Sequence, residues 1–277
     1  MNEKAENAKK SDKNFSRMRR ELSTEEEKWK NQALWFCGIF LTFFLGELVL
    51  YLILWNINDW ASVFLLQTML IMPAYLTNSG MMLFGKGGAP LDKGRVCKDG
   101  NRLFGPGKTV KGFILGPVFG ILVSLCVHLI LIFSWEGIEN IIIAFWSGQR
   151  EYVLFHSTPS EAVDLFKVYM TGAHWYESLG FGFVKLTLRV TLVSFGGATG
   201  DLLGSWLKRR LNKQRGEPIW GIDQLDFIIP AVLVSLPFII LNVKFIAIVV
   251  FISIFTPSLA IIANTISYLI GLKAVPY

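Results

Sequence analysis

Six stretches of this chain are too apolar to stay in water, and most are long enough to leave it. Residues 34–55, 61–84, 112–135, 181–203, 227–241 and 245–272 are runs of Leu, Ile, Val and Phe with few charges. A helix needs about 20 residues to cross roughly 30 Å of hydrocarbon. Five of the six runs reach that length and 227–241 falls short. The runs are continuous, not alternating, so they predict helices and not barrel strands, because a spanning helix satisfies its own backbone. A chain that is 52% hydrophobic and only 17% charged excludes an ordinary soluble domain. The predicted fold class is an all-α integral membrane protein, a polytopic bundle of about six transmembrane helices.

The ends and connections sort by charge. Residues 1–33 carry nine Lys/Arg and seven Asp/Glu with few apolar side chains, which predicts a solvated, largely disordered tail with a helix near 24–32. Its basic region is too long for a signal peptide, and no small-residue cleavage site follows. Residues 34–277 read as the membrane domain. The connection 85–111 holds seven Lys/Arg against Asp92 and Asp99, and 204–222 holds five against Glu217. The 136–180 connection holds only Arg150 and Lys167 against six acidic residues. Positive loops stay in the cytoplasm, so both basic loops and both termini are expected there, with 135–180 as an extracytoplasmic insertion. Cys37, Cys97 and Cys126 have neither disulfide nor metal spacing.

The first basic loop ends in GPGKT, residues 105–109. A Walker A loop needs a Gly five residues before its closing Gly, where this chain has Arg102, and it lies between a strand and a helix. Neither condition holds. The physical chemistry of the residues survives that failure. Gly105 and Gly107 permit positive φ and close backbone approach, and Lys108 and Thr109 open a helix whose N-terminus favours anions. Arg95, Lys98, Arg102 and Lys111 add charge. Phosphate binding, and a tight turn meeting anionic headgroups, are both open from this loop alone.

The second basic loop narrows the choice. Asp201 lies near the inner end of a span, Asp226 begins the next, and Asp223 precedes it by one turn. Carboxylates at membrane depth are costly and usually functional. Beside them stand Lys208, Arg209 and Arg210. Acidic and basic groups on one water-facing site suit phosphoryl chemistry with Mg²⁺: carboxylates hold the metal and cations hold phosphate oxygens.

The segments PAYLTNSGMMLFGKGGAPLD, KDGNRLFGPGKTVKGFILG, GATGDLLGSWLKRRLNKQRGEP and DQLDF, with the C-terminal ANTISYLIGLKAVPY, closely resemble the archaeal CDP-archaeol synthases. These are distantly similar to the bacterial phosphatidate cytidylyltransferases. The resemblance covers 73–120 and 196–277. It implies a five-helix core, to which the first span, the tail and the long outer connection are additions. It further implies transfer of CMP from CTP to 2,3-bis-O-geranylgeranyl-sn-glycerol 1-phosphate, giving unsaturated CDP-archaeol and pyrophosphate. Under it, Asp201, Asp223 and Asp226 are the Mg²⁺ ligands, and Lys108, Lys208 and Arg209 contact phosphates. Thr109 and the Gly105–Gly107 backbone cradle the CTP phosphates. Asn78, Arg95 and Asp99 are further candidates for substrate contact. Pro106 stands where the family commonly has Asp. A hydrophobic groove between helices is expected to take the lipid chains. The implied partners are CTP, an isoprenoid ether lipid phosphate and the bilayer, with no nucleic acid, and a homo-oligomer stays open.

Two other readings compete. A synthase acting on phosphatidate needs the same charges. A transporter of phosphorylated solutes also needs intramembrane charge, but it commonly shows internal repeats and a midplane site, and neither is visible in this chain. Lys185 and Arg189 are expected to snorkel toward headgroups, and His128 to pack in a span. His156 and His174 lie in the outer connection without metal spacing. Trp35, Trp55, Trp60, Trp135 and Trp175 read as interfacial anchors. Glu47 lies in the first span with no obvious partner.

Overall fold

The computed structural model describes residues 23–55, 57–147, 159–174, 176–213 and 217–270. Most of the expected tail, Arg150, His156, Trp175, Arg215 and the last seven residues lie outside them. The described residues form α1 (Thr24–Leu54), α2 (Ile57–Phe84), α3 (Val110–Phe133), α4 (Trp135–Ser147), α5 (Pro159–Thr171), α6 (Leu179–Arg210), α7 (Ile222–Leu225), α8 (Ile228–Ser235), a 3₁₀ turn (Leu236–Phe238) and α9 (Val243–Leu269). Among them the only β-pairing is two isolated bridges, Pro90 with Thr109 and Val96 with Arg102. Five helices, α1, α2, α3, α6 and α9, are long and apolar enough to cross a membrane. The expected span at 227–241 is instead broken. Its helix α8 has eight residues, a rise of about 12 Å, and Pro237 enters the turn that follows without an N–H to donate.

The chain divides into two compact units, Met1–Val49 with Ser253–Tyr277, and Leu50–Ile252. In the first, Ser258 Oγ donates to Phe40 O at 3.2 Å and Phe44 meets Phe255 at 5.8 Å between ring centroids. Glu47 is buried there, and its Oε2 has no hydrogen-bond partner.

The second unit is built on α2, α3 and α6. Lipid gives helices no hydrophobic reason to associate, so small residues must let backbones approach. Gly112, Gly116 and Gly120 form such a stripe, spaced four apart along α3. A Cβ at Gly116 would stand 2.3 Å from Met81 Cγ, and one at Gly120 2.3 Å from Thr77 Oγ1. Pro73 and Pro117 lie inside α2 and α3, as spanning helices tolerate when neighbours satisfy the freed groups.

The 136–180 connection is not simply an outer loop. Helix α5 buries Leu165, Phe166, Val168 and Tyr169, each 5% exposed or less, among α2, α3 and α6. Arg189 of α6 holds its last turn, with Nη1 donating to Val168 O at 3.1 Å and Nη2 to Tyr169 O at 2.5 Å. Terminal helix carbonyls carry partial negative charge, so a cation satisfies them. The expectation that Arg189 snorkels therefore fails: it is 1% exposed. Lys185 pairs with Glu177 at 2.7 Å. Trp135 is also buried, unlike an interfacial anchor, while His128 packs in α3 as expected.

Candidate functional site

The 32 residues of α6 rise about 48 Å, more than the hydrocarbon is thick. A helix this long extends past the apolar core, and its C-terminal turns carry Asp201, Lys208, Arg209 and Arg210. The basic residues of the last turn also suit its partial negative charge. Thr109 caps the other contributing helix, α3. Its Oγ1 accepts Gly112 N–H at 3.2 Å and donates to Gly85 O at 3.0 Å.

These two elements meet through one ion pair. Lys108 Nζ lies 2.6 Å from both Asp201 carboxylate oxygens, across 93 residues of sequence. Lys108, Asp201, Asn78, Gly107 and Thr109 line a cavity of about 250 Å³ together with Met81 and Phe113. An adjoining recess of about 450 Å³ runs along Gly85–Gly88 and Pro106. A third recess, about 420 Å³ and almost wholly apolar, lies between α6 and the α7–α8 segment. Leu203, Trp206, Leu207, Ile222 and Leu225 line it, with Asp226 in its wall.

Asp226 reaches the site because α6 offers glycine where it passes. A Cβ on Gly204 would stand 2.0 Å from Asp226 Oδ2, and one on Gly200 would stand 2.3 Å from Asp226 O. Asp226 Oδ1 accepts Phe227 N–H at 2.7 Å. Burial, and then the Asp201 charge, push its carboxyl up to about 8 against the pull of Lys108.

The other expected residues fall into place unequally. Asp223 pairs with Lys208 Nζ at 2.6 Å and accepts Ile219 N–H at 3.1 Å, while its Oδ1 is buried without a hydrogen-bond partner. Lys208 also donates to Glu217 O at 3.3 Å. Arg209 holds backbone carbonyls, Phe104 O at 3.5 Å and Lys213 O. Asp99 sits on an exposed hairpin tip and pairs with Arg210 at 2.7 Å, and Arg95 is exposed on the same hairpin. Neither Asp99 nor Arg95 lines the cavity. Of the two loop glycines, Gly105 takes positive φ, at 103°, and Gly107 does not. The Gly105 N–H is committed to Asp92 Oδ2 at 2.9 Å.

Among the described residues, no three His, Cys, Asp or Glu side chains gather closely enough to hold a metal ion. The three aspartates expected around Mg²⁺ thus do not form one cage, because Lys208 draws Asp223 away. Asp201 and Asp226 remain as neighbours whose like charges oppose each other. Mg²⁺ commonly binds one or two carboxylates and takes its other ligands from phosphates and water, so this pair fits it.

Sequence reasoning missed Asp92, counting it only as loop charge. It is 2% exposed and accepts from Arg102 Nε at 3.2 Å, Arg102 Nη2 at 2.5 Å, and the N–H groups of Gly94, Phe104 and Gly105. Burial alone would raise its carboxyl, but Arg102 and the three N–H groups outweigh burial and hold it well below the usual carboxylate range. One of only two acids among seven cations in 85–111 was the available signal.

Comparison with known proteins identifies the family. The CarS-like family, CDP-archaeol synthase, matches residues 61–148 and 166–277. The CDP-archaeol synthase of Thermococcus gammatolerans is 36% identical over 209 residues, 75% of this chain and 92% of that protein. That of Methanoculleus marisnigri is 34% identical over 75% of this chain and 100% of its own length. A solved structure described as an intramembrane enzyme for archaeal membrane lipids biosynthesis covers 73% of this chain and 92% of that one, at TM-score 0.42 and 22% identity. The chain, with its first span lying ahead of the matched residues, belongs to the CDP-archaeol synthase family.

Proposed function

We infer that this chain is a CTP-dependent cytidylyltransferase that joins CMP to an isoprenoid ether lipid phosphate, releasing pyrophosphate. The observation that carries the reading is Lys108 meeting Asp201 in the lining of one cavity, with Asp226 beside them. In the reaction, an oxygen of the lipid phosphate attacks the α-phosphorus of CTP and the β,γ-diphosphate leaves. Such transfer asks the protein mainly to position two anions and to offset their charge.

The turn at Gly107 and Lys108 takes the nucleotide phosphates, and the Gly85–Gly88 recess takes the rest of the nucleotide. Lys108 leaves Asp201 for a phosphate when nucleotide arrives. Mg²⁺ held by Asp201 and Asp226 supplies positive charge against the phosphate oxygens. The apolar recess on α6 suits the isoprenoid chains, since it brings a lipid headgroup past Asp226. Lys208, at the same end of α6, is within the reach of an arriving phosphate once it parts from Asp223. The positive charge of both basic loops supports a cytoplasmic site.

The test is purified protein with labelled CTP and Mg²⁺, offered geranylgeranyl ether lipid phosphate or phosphatidate. CDP-lipid from the ether substrate is expected. Preference for phosphatidate would move the chain to the diacylglycerol class, and no transfer to either lipid would overturn the reading.

A further inference from the structure

We propose that Asp92 is a positioning residue for this reaction, holding the GPGKT turn in the shape that delivers Lys108 to the site. The proposal rests on the cytidylyltransferase reading for its reaction, but on contacts alone for its geometry.

Asp92 sits outside the cavity, and its carboxylate bonds Gly94, Arg102, Phe104 and Gly105, none of which lines it. Its carboxylate closes the beginning of the turn, since Oδ2 accepts the N–H groups of Phe104 and Gly105 at 3.3 and 2.9 Å. The preceding residue closes the other end, with Leu91 N–H donating to Lys108 O at 2.7 Å. Residues 91 and 92 therefore grip both ends of the 105–108 segment. Inside that grip Gly105 adopts φ 103°, and Lys108 N–H donates back to Gly105 O at 3.3 Å. From there the Lys108 side chain extends to Asp201.

Both carboxylate oxygens are fully used. Oδ1 accepts Gly94 N–H and Arg102 Nη2, while Oδ2 accepts Arg102 Nε and two backbone N–H groups. Five donors converging on one buried carboxylate leave no room for a neutral isostere. Asn offers one oxygen and turns an NH₂ group toward donors that have nothing else to bond, so Asp92→Asn opens one side of the turn. Loss of Arg102 acts in the same direction, because it leaves the buried charge without its counter-ion.

A side chain that only stabilised the loop would lower the amount of folded enzyme and affect both substrates alike. A positioning residue acts through Lys108, which gives three separable readouts. In Asp92→Asn, KM for CTP is expected to rise about tenfold or more while KM for the lipid stays within about twofold, since small misplacements of a binding group are costly. In a Lys108→Ala background the same substitution is expected to have little further effect, because coupled residues are not additive. Independently of turnover, Lys108 is expected to gain reactivity toward an amine-modifying reagent relative to Lys86 and Lys93, read by peptide mass spectrometry. Equal losses for both substrates, full additivity with Lys108→Ala, or unchanged Lys108 labelling each overturn the proposal. If Asp92→Asn does not fold, Arg102→Gln decides: a smaller rise in KM for CTP with raised Lys108 labelling supports it, and no change in either overturns it. Wild-type protein that transfers nothing sinks the enzymatic reading alone, while the labelling result still judges the placement of Lys108.

Discussion

A carboxyl group placed as Asp226 is has a measurable signature in the metal-free protein. An unperturbed Asp titrates near about 4, whereas Asp226 is pushed up to about 8 by burial and by Asp201. Because the folded value is the higher one, protonation favours the folded state at low pH, and that advantage is lost as pH rises from about 4 through about 8. Metal-free wild type is therefore expected to lose thermal stability over that window, and Asp226→Asn to flatten the loss. A variant with the same slope as wild type would show that the carboxyl does not titrate there. A divalent cation held by Asp226 would expel the same proton, so Mg²⁺ affinity is expected to rise with pH up to about 8. At this scale the sequence was informative about charge and silent about pairing. Asp201 and Asp226 stood out because carboxylates at the edge of a span need a reason, and Lys108 because it closes the glycine turn GPGKT. Asp92 did not, because its role depends on N–H groups contributed by residues up to 13 positions away. The backbone carbonyls that Arg209 holds, Phe104 O and Lys213 O, likewise have no signature in the chain.

Among the elements, α6 joins the most separate tasks. It offers Gly200 to the passing Asp226 backbone and Gly204 to its side chain, places Asp201 opposite Lys108, and ends in the cations that grip the first loop. Gly204→Ala is the sharpest probe of that design. Its new Cβ would stand 2.0 Å from Asp226 Oδ2, so the carboxylate must move while the helix gains a better helix former. A folded protein with transfer reduced about 100-fold is expected, checked by activity beside a thermal melt. Near-normal turnover would mean that Asp226 need not stand where it does. The long helices were legible because hydrocarbon imposes length and continuous apolarity on anything that crosses it. The two misreadings have physical causes. The 227–241 run has the right composition but breaks near Asp226 and Pro237, and α5 packs among helices distant in sequence, its end held by an Arg189 contact that reaches back 20 residues.

For the whole molecule, the distribution of charge sets orientation. Cys97 lies in the first basic loop and is partly accessible, so a Cys37→Ser, Cys126→Ser protein carries a natural reporter there. Cys97 is expected to resist an impermeant maleimide in intact cells and to react after permeabilisation, while Glu139→Cys, in a chain lacking the native cysteines, reacts from outside. The reverse pattern would invert the topology. The pairing of Lys108 with Asp201 also has a consequence for how the protein is made. Ribosomes release the first loop well before α6, so each nascent chain passes through a period in which its key ammonium has no aspartate to meet. A chain truncated before residue 201 is therefore expected to insert yet transfer nothing.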